Sequence, residues 1–250
     1  MSGVVLVSGP PGCGKTSWIL SRLQGHRGPR AYRRLDGIDP EGRPLALDGG
    51  LDQAFLHDQI PDLRELAGAT QDPAADGEGL LALIELPLFG PEIPQTLAPG
   101  LRPDRHLHFG RDSELPRQDT LVFGALDSWS LDLATEVWDP ASLNSFWFEL
   151  VNGAYGDVYR AKALVNLPDG RGFLFNWMVS CSGTQFLPLQ SVAPPHGRPM
   201  RLSRLVVQGK GLDTVGLQST IADCLLSDAV LELQQAPRRR PPGEPLPATG

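Results

Sequence analysis

Apolar positions open the chain as one short block. VVLV at residues 4–7 runs into Gly9-Pro10-Pro11-Gly12, a stop for any regular structure, and predicts a strand. From Lys15 the period lengthens. Trp18, Ile19, Leu20 and Leu23 predict a helix over residues 16–23, with Gly25 as its stop. Residues 25–50 are rich in Arg, Gly, Pro and Asp and read as loop, with one short strand at 31–35. Leu51, Phe55, Ile60, Leu63 and Leu66 return at helical spacing over 51–67, interrupted by Pro61. LLALI at 80–84 is a continuous apolar run, the form of a strand covered on both faces in a parallel sheet, and it ends in Glu85.

The second half patterns differently. After a proline-rich stretch with one candidate strand at 105–109, residues 120–134 alternate Ser128, Ser130 and Asp132 against Trp129, Leu131 and Leu133, the period of one or two half-buried strands. Asp139-Pro140 opens a helix over 141–151, with Leu143, Phe146, Trp147 and Leu150 on one face. Residues 158–167 and 173–179, joined through Pro168-Asp169-Gly170, form the clearest hairpin. A strand at 205–207 and a helix over 214–226 follow. The pattern therefore predicts an α/β fold: a truncated parallel P-loop sheet over residues 1–125, a small α+β unit over 126–230, and a disordered tail over 231–250, whose PRRRPPGEPLPATG is too poor in apolar surface to order itself.

Composition narrows the class. With 250 residues, 41% hydrophobic and 20% charged, the chain has enough apolar material for a core and is neither coiled nor acidic and disordered. Its formal charge of -7 repels phosphate backbones, so no nucleic-acid partner is expected. No apolar run approaches the roughly 18 residues of a membrane span, and MSGVVLVSGPPG lacks a basic n-region. A cytoplasmic protein without a membrane partner is the expectation. Three scattered cysteines, Cys13, Cys181 and Cys224, fit a reducing compartment; the latter two read as small core residues.

One motif carries chemistry. Gly9-Pro10-Pro11-Gly12-Cys13-Gly14-Lys15-Thr16 matches G-x-x-x-x-G-K-[ST] between a predicted strand and a predicted helix, the context it requires. The chain's own composition predicts about 0.0035 chance matches. Glycines let backbone N–H groups converge on phosphate oxygens, the helix N-terminus adds positive potential, Lys15 reaches the terminal phosphates and the Thr16 hydroxyl ligates Mg²⁺. Cys13 and Ser17 complete the expected nucleotide-binding set of Gly9, Gly12, Cys13, Gly14, Lys15, Thr16 and Ser17. Only three lysines stand against nineteen arginines, so Lys15 is not background usage.

Glu85 is the expected catalytic and metal-shell carboxylate, placed by a parallel sheet at the edge that bears the phosphate loop. As a strand-end acid it has a plainer alternative, simple solvation. Asp36 and Asp39 are weaker Mg²⁺ candidates. His106 and His108 share one side of a strand and with His57 offer a metal trio, although a solvated surface pair is the plainer reading. The lysines follow Gly14, Ala161 and Gly209, so no N-K-x-D guanine reader exists, and GTP and ATP remain equal candidates.

Residues 4–16, LLALIELPLFGPEIPQTL (80–97), VWDPASLNSFWFEL (137–150), YRAKALVNLPDGRGFLF (159–175) and SRLVVQGKGLDTVGLQSTIADCLL (203–226) together resemble the CobW-like family of P-loop GTPases and metallochaperones, including its C-terminal domain. The resemblance implies GTP hydrolysis coupled to delivery of a metal ion to a client protein or cofactor pathway. It places Gly9, Gly12, Gly14, Lys15 and Thr16 at phosphate and Mg²⁺ positions, Glu85 at the family's strand-end glutamate, and a client on the C-terminal part. Arg160 and Lys162, from the family's Arg-Ala-Lys strand, are expected to meet nucleotide or a partner, or to be a strand-exposed basic pair. The family's C-x-C-C motif is absent, so no transition-metal site is expected, and its Glu-x-x-Gly is here Glu85-Leu86-Pro87-Leu88. Three functions follow: an NTP-binding protein with weak or no hydrolysis and Mg²⁺ as cofactor, a scaffold that has lost nucleotide binding and metallochaperone activity, and, least suited, a small-molecule kinase.

Overall fold

The computed structural model describes residues 3–38, 44–45, 50–66, 79–88, 92–93, 103–109, 126–179 and 183–239. Its first half contains β1 (Gly3–Gly9), α1 (Lys15–Gln24), β2 (Arg30–Arg34), β3 (Gly37–Ile38), β4 (Pro44–Leu45), α2 (Leu51–Gln59), β5 (Arg64–Glu65), β6 (Leu81–Pro87) and β7 (Arg105–His108). Five of these strands form a sheet in the order β5-β2-β6-β1-β7. Every pairing in it is parallel. Alternation explains the unbroken apolar runs. Val5, Val7, Leu81 and Leu83 pack with Ile19 and Leu23 of α1 and Leu56 of α2, while Leu6, Ala82, Ile84 and Leu86 fill a cluster on the opposite face. Each such Leu or Ile, fully buried, contributes about 1.5–3 kcal/mol, so a strand covered on both sides is apolar except where a polar group finds a buried partner, as Ser8 and Glu85 do.

The second half holds β8 (Asp127–Asp132), α3 (Pro140–Val151), β9 (Asp157–Asn166), β10 (Gly172–Met178), β11 (Gln185–Pro188), β12 (Arg204–Lys210), α4 (Thr214–Cys224), α5 (Asp228–Gln235) and a 3₁₀ turn (Ala236–Arg239). Its sheet runs β11-β10-β9-β12-β8 and is antiparallel throughout. Asp139 caps α3 by accepting from Ser142 N, with Pro140 in the first turn, as the sequence predicts. One face of this sheet, with Ala161, Ala163, Val165, Phe175 and Val207, packs on α3 and α4. From the other face, Leu164, Leu174 and Val206 meet Leu51 and Phe55 of α2. Helix α2 thus lies between the two sheets. Its C-terminal end is held as well: Asp58 accepts from Gln190 N at 2.6 Å, and Gln59 Nε2 donates to Pro188 O at 3.0 Å.

Several expectations change. Residues 231–239, expected to belong to a disordered tail, are instead helical, in α5 and the following turn. Ser227 caps α5, Leu231 is buried with Val137 and Leu226, and the buried Gln235 amide exchanges hydrogen bonds with the Gly197 backbone. These anchors lie one turn apart and were too sparse for a periodic signal. Residues 240–250 lie outside the described residues. The helix expected over 214–226 ends at Cys224. Strands β5 and β11 were not anticipated; both are short edge pieces. The expected junction at 125–126 adjoins residues 110–125, which lie outside the described residues, as do Asp39 and Cys181.

Candidate functional site

Residues 10–14 turn the chain from the C-terminal end of β1 into α1, leaving the glycine loop at the edge of the parallel sheet. Gly14, the residue before α1, has φ 89, and no side chain caps the helix. First-turn N–H groups of an uncapped helix are free to bind an anion. Lys15 bends back over the loop. Its Nζ donates to Gly9 O at 2.9 Å and Pro10 O at 2.8 Å, and stands 3.8 Å from Glu85 Oε1. Cys13 Sγ lies 3.7 Å from the same ammonium, yet burial outweighs that charge and pushes the thiol pKa up. Ser17 lines the cavity in front of the loop with Thr16.

Glu85 does not end its strand in solvent. It is buried inside β6, which continues to Pro87, and β1 and β2 flank it in register with Val7 and Arg34. Its Oε2 accepts from the Tyr32 hydroxyl at 2.6 Å, and its Oε1 accepts from Arg34 Nη1 at 3.4 Å. Burial, and then the negative charges of Glu85 and Asp52, hold the Tyr32 phenol well above its ordinary range.

Sequence reasoning passed over Asp52. In the first turn of α2 it is buried, and its Oδ1 accepts from Thr16 Oγ1 at 2.6 Å while Oδ2 accepts from Arg34 Nη1 at 2.7 Å. Lys162 Nζ, from the second sheet, makes a short contact with the same Oδ1. The missed signal was an acid three and four residues before Phe55 and Leu56, inside the apolar stripe of α2. Lys162 and Arg160 are not strand-exposed: both are buried on β9, on the face toward the glycine loop. Asn176, Met178 and Gln185 from β10 and β11 complete that wall, and Met178 stands directly against Gly12.

The cavity between these walls measures about 690 Å³, within the usual range for small-molecule sites. Four cationic side chains in its lining, Lys15, Arg34, Arg160 and Lys162, face two carboxylates, Asp52 and Glu85. A chain of net charge -7 thus concentrates positive charge at the glycine loop.

The other candidates sit elsewhere. Asp36 is exposed. His106 Nε2 and His108 Nδ1 lie 2.7 Å and 2.8 Å from the buried Ser8 Oγ, a hydroxyl with one proton that can donate to only one of the two rings. Burial lowers the His106 pKa.

The parallel sheet with a glycine loop between β1 and α1 defines a P-loop α/β fold. No protein-family model matches this chain and no curated protein does. Among solved structures, the Zn(II)-bound YjiA GTPase from E. coli is similar at 10% identity and a TM-score of 0.32, over 89% of this chain and 98% of that one. A Zn(II)-bound triple mutant of the same GTPase gives 11% identity and a TM-score of 0.32, over 90% and 99%. Superposition at that level fixes neither activity nor ligand for this chain. Among the described residues, no helix is long and apolar enough to cross a membrane.

Proposed function

We propose that this protein binds the triphosphate of GTP or ATP on the glycine loop at residues 9–16 and hydrolyses it slowly. The single observation that carries the reading is the cavity in which that loop and Lys15 face further cations, beside a buried carboxylate pair. Backbone N–H groups of residues 12–16 and the ammonium of Lys15 would hold the terminal phosphates.

The Thr16 hydroxyl is a hard oxygen donor of the kind Mg²⁺ takes, and the carboxylates of Asp52 and Glu85 beside it, each already paired with protein cations, would hold that ion through its waters. When bound, Mg²⁺ would neutralise charge on the phosphate oxygens. Slow rather than fast turnover follows from Glu85. Both its oxygens are already engaged, by Tyr32 on one side and by Arg34 and Lys15 on the other, which leaves it a poor acceptor for a proton from attacking water. Phe148 on α3, Val215 on α4 and Leu233 on α5 are exposed apolar side chains on which a client protein could dock. Handing that client a metal ion or cofactor is the output this reading assigns to the nucleotide cycle.

One observation favours the scaffold reading instead: Lys15 Nζ already satisfies itself on the loop carbonyls of Gly9 and Pro10. The two readings separate in a phosphate-release assay with GTP and with ATP, run beside equilibrium binding of both in Mg²⁺ and in EDTA. Nucleotide binding with slow release supports the proposal. Absence of binding to either nucleotide would leave the scaffold.

A further inference from the structure

Lys162 is a buried ammonium that the glycine-loop chemistry does not require. It comes from β9, in the second sheet, and reaches across the cavity to the first turn of α2. There it shares one oxygen, Asp52 Oδ1, with the hydroxyl of Thr16, the side chain that the loop motif devotes to the cation. A divalent ion coordinated at Thr16 and the ammonium of Lys162 therefore draw on the same carboxylate. Arg34 occupies its other oxygen. Two cations of the protein thus already neutralise the acid from which a metal shell would otherwise gain charge.

Strand alternation makes this placement specific. Arg160, Lys162 and Leu164 share the face of β9 turned toward α2 and the glycine loop, whereas Ala161, Ala163 and Val165 face the opposite core. Only a residue on the cavity face can reach Asp52. Both basic side chains are buried there, so neither is a solvated surface pair.

The geometry points to Lys162 as a built-in substitute for the divalent cation: a positive charge from the second sheet that lets the loop hold an inorganic or nucleoside triphosphate without Mg²⁺. This rests on the proposed phosphate site and goes one step further, because it assigns part of the phosphate-binding charge to the second sheet. Lys162 carries that charge past Asp52 to the terminal phosphate, so occupancy of the loop loosens the contact between α2 and β9. Docking of the two sheets then depends on what the loop holds.

The test uses inorganic tripolyphosphate, which has the charges and no base, titrated by calorimetry into metal-stripped full-length protein in EDTA and in Mg²⁺. Wild type is expected to bind in EDTA. Lys162→Gln is expected to lose on the order of tenfold in EDTA, the effect of removing one close charge, and to show a wider gap between EDTA and Mg²⁺. If the single variant does not fold, Asp52→Asn/Lys162→Met removes the buried pair together, which proteins tolerate better than removal of one partner. Loss of the Asp52 charge alone strengthens anion binding, so weaker EDTA binding in the double variant is assigned to Lys162. Binding equal to wild type in EDTA, or wild-type binding that needs Mg²⁺ absolutely, overturns the inference. Lys15→Ala in the same titration separates the two levels. Its loss of binding in Mg²⁺ beside an unaffected Lys162 variant would sink the inference and leave the phosphate site standing, and no binding by wild type in either condition would sink both.

Discussion

The hydroxyl of Thr16 donates to Asp52 Oδ1 at 2.6 Å, tying the last residue of the glycine loop to a carboxylate 36 positions on. Thr16 stands in the first turn of α1 and Asp52 in the first turn of α2, so the bond joins the two helices at the ends that flank the cavity. Asp52→Ala would break it and leave Lys162 buried without that charge beside it. Removing one partner of a buried ion pair costs about 3–5 kcal/mol, and chemical denaturation of Asp52→Ala should show a loss of that size. A loss below about 1 kcal/mol, the scale of an exposed pair, would contradict the burial described for Asp52.

Tyr32 offers a prediction in pH. Its phenol is buried and donates to Glu85, and its pKa is raised well above the ordinary 10.0. A raised pKa means that the unfolded chain releases this proton first. The stabilisation is fully present below pH 10.0 and drains away as pH climbs from there toward the folded-state value. Unfolding free energy measured from pH 9 to pH 11.5 should therefore fall, and Tyr32→Phe should flatten the Tyr32 part of that fall. An identical alkaline slope in the variant would contradict the assignment.

The glycine loop separates steric from conformational demand. A Cβ added to Gly9, at φ 152, would sit 2.5 Å from the Phe109 carbonyl oxygen, an immovable neighbour, and 2.7 Å from Cys13 Sγ. Around Gly14 there is open space, so alanine there meets only the left-handed φ of 89, a cost of about 1–2 kcal/mol. Thermal denaturation should rank Gly9→Ala well below Gly14→Ala. The reverse order would mean that Phe109, just past β7, does not stand against Gly9.

Helix α5 should behave as part of the core. Leu231 is buried against Val137 and Leu226, and Leu→Ala at such a site typically costs about 2–5 kcal/mol. Leu231→Ala should show that loss in urea, while Leu233→Ala, at an exposed position, should change stability by less than about 0.5 kcal/mol. Equal, small effects at both positions would return this segment to the tail.

Strong periodicity explains which parts of this architecture were legible. Apolar runs at β1 and β6 and the alternation of β8 follow from burial on two faces and on one, which depends on each strand's own residues. Helix α3 announced itself through Asp139-Pro140. What escaped was long-range. Asp52 and Lys162 lie 110 residues apart, and nothing in the composition near either foretells an ion pair that exists only once α2 is clamped between two sheets. Glu85 was legible as a residue but not as a buried one, because the strand continues through Leu86 and Pro87 into the core. The α5 segment was missed because polar and charged residues hide its few anchors.

The central claim is that Lys15 and the glycine loop form a working triphosphate site. It is tested most directly by calorimetric titration of the metal-stripped protein with GTP and ATP in Mg²⁺, beside Lys15→Ala. A charge-assisted hydrogen bond to phosphate contributes about 1.5–3 kcal/mol, so the variant should bind at least on the order of tenfold more weakly. Wild-type binding that survives unchanged in Lys15→Ala would contradict the account, as would the absence of any binding by the wild type.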